Sequence, residues 1–242
     1  SGAGDDTING GLGNDFIQGS AGSDVIRGGA GLDTASYADI TSDTAHGLAN
    51  IAGIAVNLTS DAIEQGDFQD HTGVLDDVAS TNEFGYLDAN NRLGAATVQY
   101  LITDAGEQAE TYSIDTLDSV EGIVGTALAD YVVIGVDAVT VSTGGGVDVI
   151  FSGTAEDNIS AGSGADIINI ASASDHGSAE VIDGGTGADE IWFNSIASET
   201  LVLSANVTGV ETVRIQIADA TTVGGETAES INASALTYGV AL

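Results

Sequence analysis

Apolar positions in this chain do not recur at helical spacing. Over the first 36 residues a core-compatible side chain returns every nine positions, at Ile8, Ile17, Ile26 and Ala35. The frame divides this stretch without gaps into SGAGDDTIN, GGLGNDFIQ, GSAGSDVIR and GGAGLDTAS. Only a few residues separate one glycine cluster from the next, which is too few for a helix and suits a very short strand between tight turns. An aspartate stands two positions before each inward residue, at Asp6, Asp15, Asp24 and Asp33. A fixed short period of this kind predicts a solenoid.

The register returns with GTALADYVV (125–133) and IGVDAVTVS (134–142), then TGGGVDVIF, SGTAEDNIS and AGSGADIIN through residue 169. Its aspartates are Asp130, Asp148, Asp157 and Asp166, with Val139 in place of one aspartate and Ala155 in place of one turn glycine. Residues 170–183 interrupt the frame and read as a loop, after which GGTGADEIW (184–192) brings Asp189. GGETAESIN (224–232) keeps the pattern but carries Thr227 and Glu229 at the glycine and aspartate positions, as expected of a coil without a metal site. The expected organisation is therefore a first block at 1–36, a connecting β segment at 37–124, a second block at 125–192, and degenerate coils at 193–242. Within the connecting segment GIAVNL (53–58), TVQYLI (97–102) and 119–124 read as strands, and about 61–113 reads as an inserted lobe. The fold class that follows is all-β, a parallel β-roll or β-helix.

Charge changes the picture most. Thirty-seven acidic residues face three arginines (Arg27, Arg92, Arg214) and no lysine, for a formal net charge of −34. Self-repulsion on that scale opposes a compact state unless cations bind. The same field disfavours nucleic acid and anionic membranes as partners. Cysteine, methionine and proline are absent, which excludes disulfides and thiolate metal sites. No apolar stretch is long enough for a membrane helix and the N-terminus has no signal-peptide pattern. Because both ends lie in repeat-like sequence, the chain is expected to be part of a longer protein.

Two nonapeptides make one coil, so residues eighteen apart should stack at strand spacing, Asp6 over Asp24 and Asp15 over Asp33. Stacked carboxylates repel, and strands this short bury too little to offset chain ordering. Aspartate can also merely cap turns, but a strict period favours ligation. Calcium takes six to eight oxygens at about 2.3–2.6 Å in forgiving geometry, whereas magnesium is more exacting and zinc prefers nitrogen and sulfur. The expected calcium ligands are the carboxylates of Asp6, Asp15, Asp24, Asp33, Asp130, Asp148, Asp157, Asp166 and Asp189. Backbone carbonyls freed in the turns join them, around Gly2, Gly4, Gly11, Gly13, Gly22, Gly29, Gly31, Gly144, Gly146, Gly153, Gly162, Gly164, Gly185 and Gly187.

GGLGNDFIQ and GGTGADEIW match GGxGxDxUx, and the chain resembles the RTX (repeats-in-toxin) proteins, a calcium-binding repeat family. Connecting segments such as GGAGLDTASYAD, GIAVNL and DTLDSVEGIVGTALADY also look like those of large RTX surface proteins. The resemblance implies a parallel β-roll, type I export from a Gram-negative bacterium, and folding triggered by extracellular calcium.

His46, His71 and His176 lack H-E-x-x-H spacing, no G-x-S-x-G elbow occurs, and a P-loop is impossible without lysine. No catalytic residue is therefore expected, and no cofactor other than calcium. Trp192 reads as an outward aromatic covering an edge. The sequence favours a non-enzymatic, calcium-binding structural protein of the bacterial exterior, of surface-layer or matrix type, that self-associates into a lattice. Two alternatives stay open: an export and folding module of a secreted enzyme or toxin, and a segment of a large adhesin.

Overall fold

The computed structural model describes residues 2–40, 51–61, 63–64, 92–93, 95–102, 113–194, 199–215 and 230–234. Most of the expected lobe at 61–113, His46 and His71, and Thr227 and Glu229 lie outside the described residues. Those described form an all-β solenoid with a single short 3-10 turn, Ala173–Asp175, and no α-helix.

Two sheets face one another. The first has ten strands in the order Thr7–Leu12, Val25–Ala30, Ile114–Asp118, Thr97–Ile102, Ile51–Asn57, Tyr131–Val133, Val149–Phe151, Ile167–Ile170, Glu190–Phe193 and Thr212–Ile215. The second has seven, Phe16–Gln18, Thr34–Ser36, Gly122–Val124, Thr140–Ser142, Asn158–Ser160, Val181–Asp183 and Val207–Thr208, all parallel. Stacking at eighteen residues is direct: Ile8 pairs with Ile26, Ile17 with Ala35, Val132 with Ile150, and Val141 with Ile159. A three-residue strand points one side chain inward, so the core is two facing rows. Ile26, Ile54, Val132, Ile150, Ile168 and Ile191 are fully buried in one, and Ile123, Val141, Ile159 and Ile182 are buried in the other.

Three departures from the nonapeptide frame matter for the site. Residues 114–124 form a coil of their own, stacked on the first block with Ile26 opposite Leu117 and Ala35 opposite Ile123. Strand Thr97–Ile102 then enters the first sheet antiparallel to both neighbours, Ile51–Asn57 and Ile114–Asp118. Finally, the interruption at 170–183 is only partly a loop. Val181–Asp183 is a paired strand, Ile182 fills the core opposite Ile159, and the stacking offset grows from eighteen to twenty-three. Ile182 keeps the inward position because it stands two residues after an acid, Glu180, just as in the regular repeats.

Candidate metal centre

Each coil turns twice, and at most turns an acidic residue precedes the next strand by one position. Its side chain reaches along the solenoid axis to the neighbouring coil. Asp24 Oδ1 accepts from the Asp6 N–H at 2.9 Å and Asp33 Oδ1 from the Asp15 N–H at 2.8 Å. In the second block Asp148 Oδ1 accepts from Asp130 N–H at 2.7 Å, Asp166 from Asp148 at 2.8 Å, and Asp189 from Asp166 at 2.9 Å. Asp157 Oδ1 accepts from Val139 N–H at 3.0 Å, so the valine that replaces an aspartate still serves as donor. The expected stacking of acids is therefore a hydrogen-bonded ladder that uses one oxygen of each carboxylate.

The second oxygen separates these residues into two groups. Oδ2 of Asp15, Asp33, Asp148, Asp166 and Asp189 is buried with no hydrogen-bond partner. A buried carboxylate oxygen left unpaired carries a large desolvation cost. Elsewhere protein groups fill the gap. Asp24 Oδ2 accepts from the Ser20 hydroxyl at 2.8 Å, Asp130 Oδ2 from the Thr126 N–H at 2.7 Å, and Asp157 Oδ2 from the Gly153 N–H at 3.3 Å. Asp6 accepts from the Gly2 N–H at 3.2 Å. Burial, only partly offset by these hydrogen bonds, pushes Asp148 up to about 8, Asp130 to about 7 and Asp166 to about 6. It raises Asp157 and Asp189 as well.

Two of the unpaired oxygens, on Asp15 and Asp33, lie close to a carbonyl of the neighbouring coil. A Cβ added to Gly10 would sit 2.5 Å from Asp15 Oδ2 and 2.6 Å from the Gly28 carbonyl oxygen, so the two oxygens approach the glycine Cα together. A Cβ on Gly28 would meet Asp33 Oδ2 at 2.5 Å together with the Ser119 carbonyl oxygen. Repeat position one, Gly10 and Gly28, thus lies against the unpaired carboxylate oxygen, whereas the glycines expected from the sequence are those at positions two and four. Those later glycines stack instead. Gly29 and Gly31, both at positive φ, lie over the carbonyls of Gly11 and Gly13, and Gly22 lies over Gly4. Gly162 and Gly164 lie over Gly144 and Gly146, Gly185 and Gly187 over Gly162 and Gly164, and Gly153 over Gly135. At Gly31 (φ 147°) a side chain would collide with the Gly13 carbonyl, so the close coil spacing itself requires glycine.

Sequence reasoning missed four acids that take ladder positions or stand beside one. Asp115 continues the Asp6 and Asp24 row, accepting from the Asp24 N–H at 2.8 Å. Its other oxygen accepts from the buried Tyr37 hydroxyl at 2.9 Å. Tyr37 meets Tyr100 edge to face at 6.2 Å, and its own hydroxyl is held protonated by burial and by Asp115. Glu121 continues the Asp15 and Asp33 row, and Glu211 continues the Asp189 row. Glu180 is buried against His176, Oε2 to Nδ1 at 2.7 Å, while Nε2 accepts from the Ser204 N–H. All four stand two residues before a core residue (Leu117, Ile123, Val213 and Ile182), a spacing present in the sequence but unaccompanied by the glycine cluster.

Among the described residues no three His, Asp or Glu side chains converge as a ready-made metal cluster. Carboxylates therefore supply only part of any coordination shell, and turn carbonyls must supply the rest. An all-oxygen donor set, ionised in part and orphaned in part, fits calcium and not a nitrogen- or sulfur-seeking metal.

Fold and donor set together define a parallel β-roll with calcium-type turns. Residues 1–35, 140–175 and 177–192 match the RTX calcium-binding nonapeptide repeat, in four copies. Over these residues the chain carries RTX calcium-binding repeats. Residues 125–139 lie outside the match, yet Tyr131–Val133 stacks in register on Val149–Phe151. No curated protein matches the chain. Among the described residues no helix is long and apolar enough to cross a membrane.

Proposed function

We propose that this chain is a calcium-binding structural segment of a secreted bacterial protein, of surface-layer or matrix type, whose roll closes as calcium fills its turns outside the cell. The observation that carries the reading is the set of five buried, unpartnered aspartate oxygens in the turn rows, on Asp15, Asp33, Asp148, Asp166 and Asp189; a sixth such carboxylate oxygen, Glu180 Oε1, stands outside the rows beside His176. Such oxygens destabilise a metal-free fold and are what a hard cation needs. Extracellular calcium modules bind with dissociation constants of about 10⁻⁴–10⁻³ M, so the sites stay empty in cytosol and fill on export. At free calcium tenfold above that constant each independent site adds about 1.4 kcal/mol, enough in sum to close a marginal roll. In this reading the segment is non-catalytic, in line with a sequence that has no H-E-x-x-H, G-x-S-x-G or P-loop motif. The net charge of −34 favours calcium bridging between copies in a lattice.

A calcium titration followed by circular dichroism, with magnesium as control, tests the folding step; complete β signal in excess chelator would refute it. Electron microscopy with and without millimolar calcium tests the lattice. Ordered arrays appearing only with calcium are expected, and monodisperse monomers in both conditions would refute the structural role.

A further inference from the structure

Two points in the roll, 90 residues apart in sequence, are built alike and neither is a nonapeptide. At the first, SVEGI (119–123) follows the Asp15 and Asp33 row; at the second, GVETV (209–213) follows the Asp148, Asp166 and Asp189 row. Ser119 and Gly209 both take left-handed backbone conformations, φ 55° and 62°. In each the glutamate two residues on accepts from the last aspartate's N–H: Glu121 Oε2 from Asp33 at 2.9 Å, Glu211 Oε2 from Asp189 at 2.8 Å. Both glutamate N–H groups and both following N–H groups then converge on that aspartate's carbonyl, at 3.0 and 2.9 Å on Asp33 and 3.0 and 3.1 Å on Asp189. Regular aspartate steps, such as Asp148 onto Asp166, send only the single following N–H to that carbonyl.

At both places the last aspartate keeps an open oxygen. Asp33 and Asp189 are 1% and 0% exposed, and each Oδ2 is unpartnered. The left-handed residue brings a carbonyl to the same turn. A Cβ on Gly28 would meet the Ser119 oxygen beside Asp33 Oδ2, and a Cβ on Gly184 would meet the Gly209 oxygen beside the Asp189 side chain.

We infer that Glu121 and Glu211, each the last acid of its carboxylate row among the described residues, complete a calcium site there, Asp33 with Glu121 and the Ser119 carbonyl, Asp189 with Glu211 and the Gly209 carbonyl. The inference rests on the calcium reading of the rows and adds sites outside the matched repeats. Glutamate suits this position because Oε2 holds the neighbouring N–H and leaves the second carboxylate oxygen for a cation. The first of these sites joins parts of the chain 88 residues apart, so calcium there fastens the N-terminal roll to the central coils.

The test is calcium stoichiometry of the whole chain by calorimetry, repeated for Glu121→Gln, Glu211→Gln and, as control, the exposed Glu156→Gln. Glutamine retains the acceptor for the aspartate N–H, and circular dichroism in calcium checks that each variant keeps its β signal. Each terminal variant should bind a single ion fewer than the parent, the double variant two fewer, and the control the full number. Unchanged stoichiometry in both terminal variants overturns the inference while leaving the calcium reading intact, as does loss of every ion from either one. A parent chain that binds no calcium overturns the calcium reading itself.

Discussion

Replacing Asp148 by asparagine should strengthen the metal-free roll and weaken the calcium-loaded one. Asp148 is fully buried, its Oδ1 holds the Asp130 N–H, and its Oδ2 has no partner. Burial raises its folded pKa to about 8, against about 3.9 in an unfolded chain. A raised acid pKa means that the folded state keeps a proton the unfolded state has released. The associated stability is therefore complete below about pH 4 and is lost as pH rises through about 8. At pH 7 the loss spans roughly three pH units, or about 4 kcal/mol. Asparagine keeps the Oδ1 acceptor and removes that loss, so β signal in chelator should rise at pH 7 and change little at pH 4. With calcium the sign reverses, because a neutral oxygen replaces a charged ligand and affinity follows ligand charge. A weakening of about tenfold, or about 1.4 kcal/mol, is the least expected. Circular dichroism in chelator at both pH values, paired with a calcium titration at pH 7, reads both effects. A variant that loses β signal in chelator, or whose calcium midpoint does not rise, would refute the reasoning.

The same sign applies to the wild-type chain, since Asp130 and Asp166 are raised along with Asp148. Acidifying from pH 8 to pH 4 in chelator should thus increase β structure without any metal, and ellipticity against pH would show it as a rise through about 8 to 6. Tyr37→Phe removes the hydroxyl that satisfies the buried Asp115. It should cost about 1–3 kcal/mol in urea unfolding at saturating calcium, whereas Asp39→Asn on the exposed surface nearby should leave the midpoint in place. Ile150→Ala empties a fully buried core position and should cost about 2–5 kcal/mol, while Val136→Ala, exposed in a turn, should change stability by less than about 0.5 kcal/mol. Equal midpoints for that last pair would contradict the inward and outward assignment.

Much of this was legible in nine-residue spacing. A strict period fixes which side chain faces inward and which acid stacks on which, so the pairing of Asp6 with Asp24 and of Asp15 with Asp33 follows from counting. Counting fails where the frame breaks, yet the rule of an acid two residues before a core residue survives there. Read on its own, it marks Asp115, Glu121, Glu180 and Glu211 without any glycine. Which carboxylate oxygen stays open is only partly a local matter. That depends on the donor each acid meets: Ser20 for Asp24 and Thr126 for Asp130, each four residues earlier in the same repeat, but Tyr37, 78 residues distant, for Asp115. The antiparallel strand Thr97–Ile102 was readable as a strand but not as a member of the main sheet, because antiparallel insertion leaves no periodic trace.

The central claim is that the open aspartate oxygens of the turn rows mark the metal positions, and anomalous scattering from crystals grown in calcium tests it most directly. The account predicts calcium peaks beside Oδ2 of Asp15, Asp33, Asp148, Asp166 and Asp189, and none bound to Oδ2 of Asp24 or Asp130, where Ser20 and Thr126 already donate. Peaks at Asp24 and Asp130, or their absence beside the five open oxygens, would contradict it.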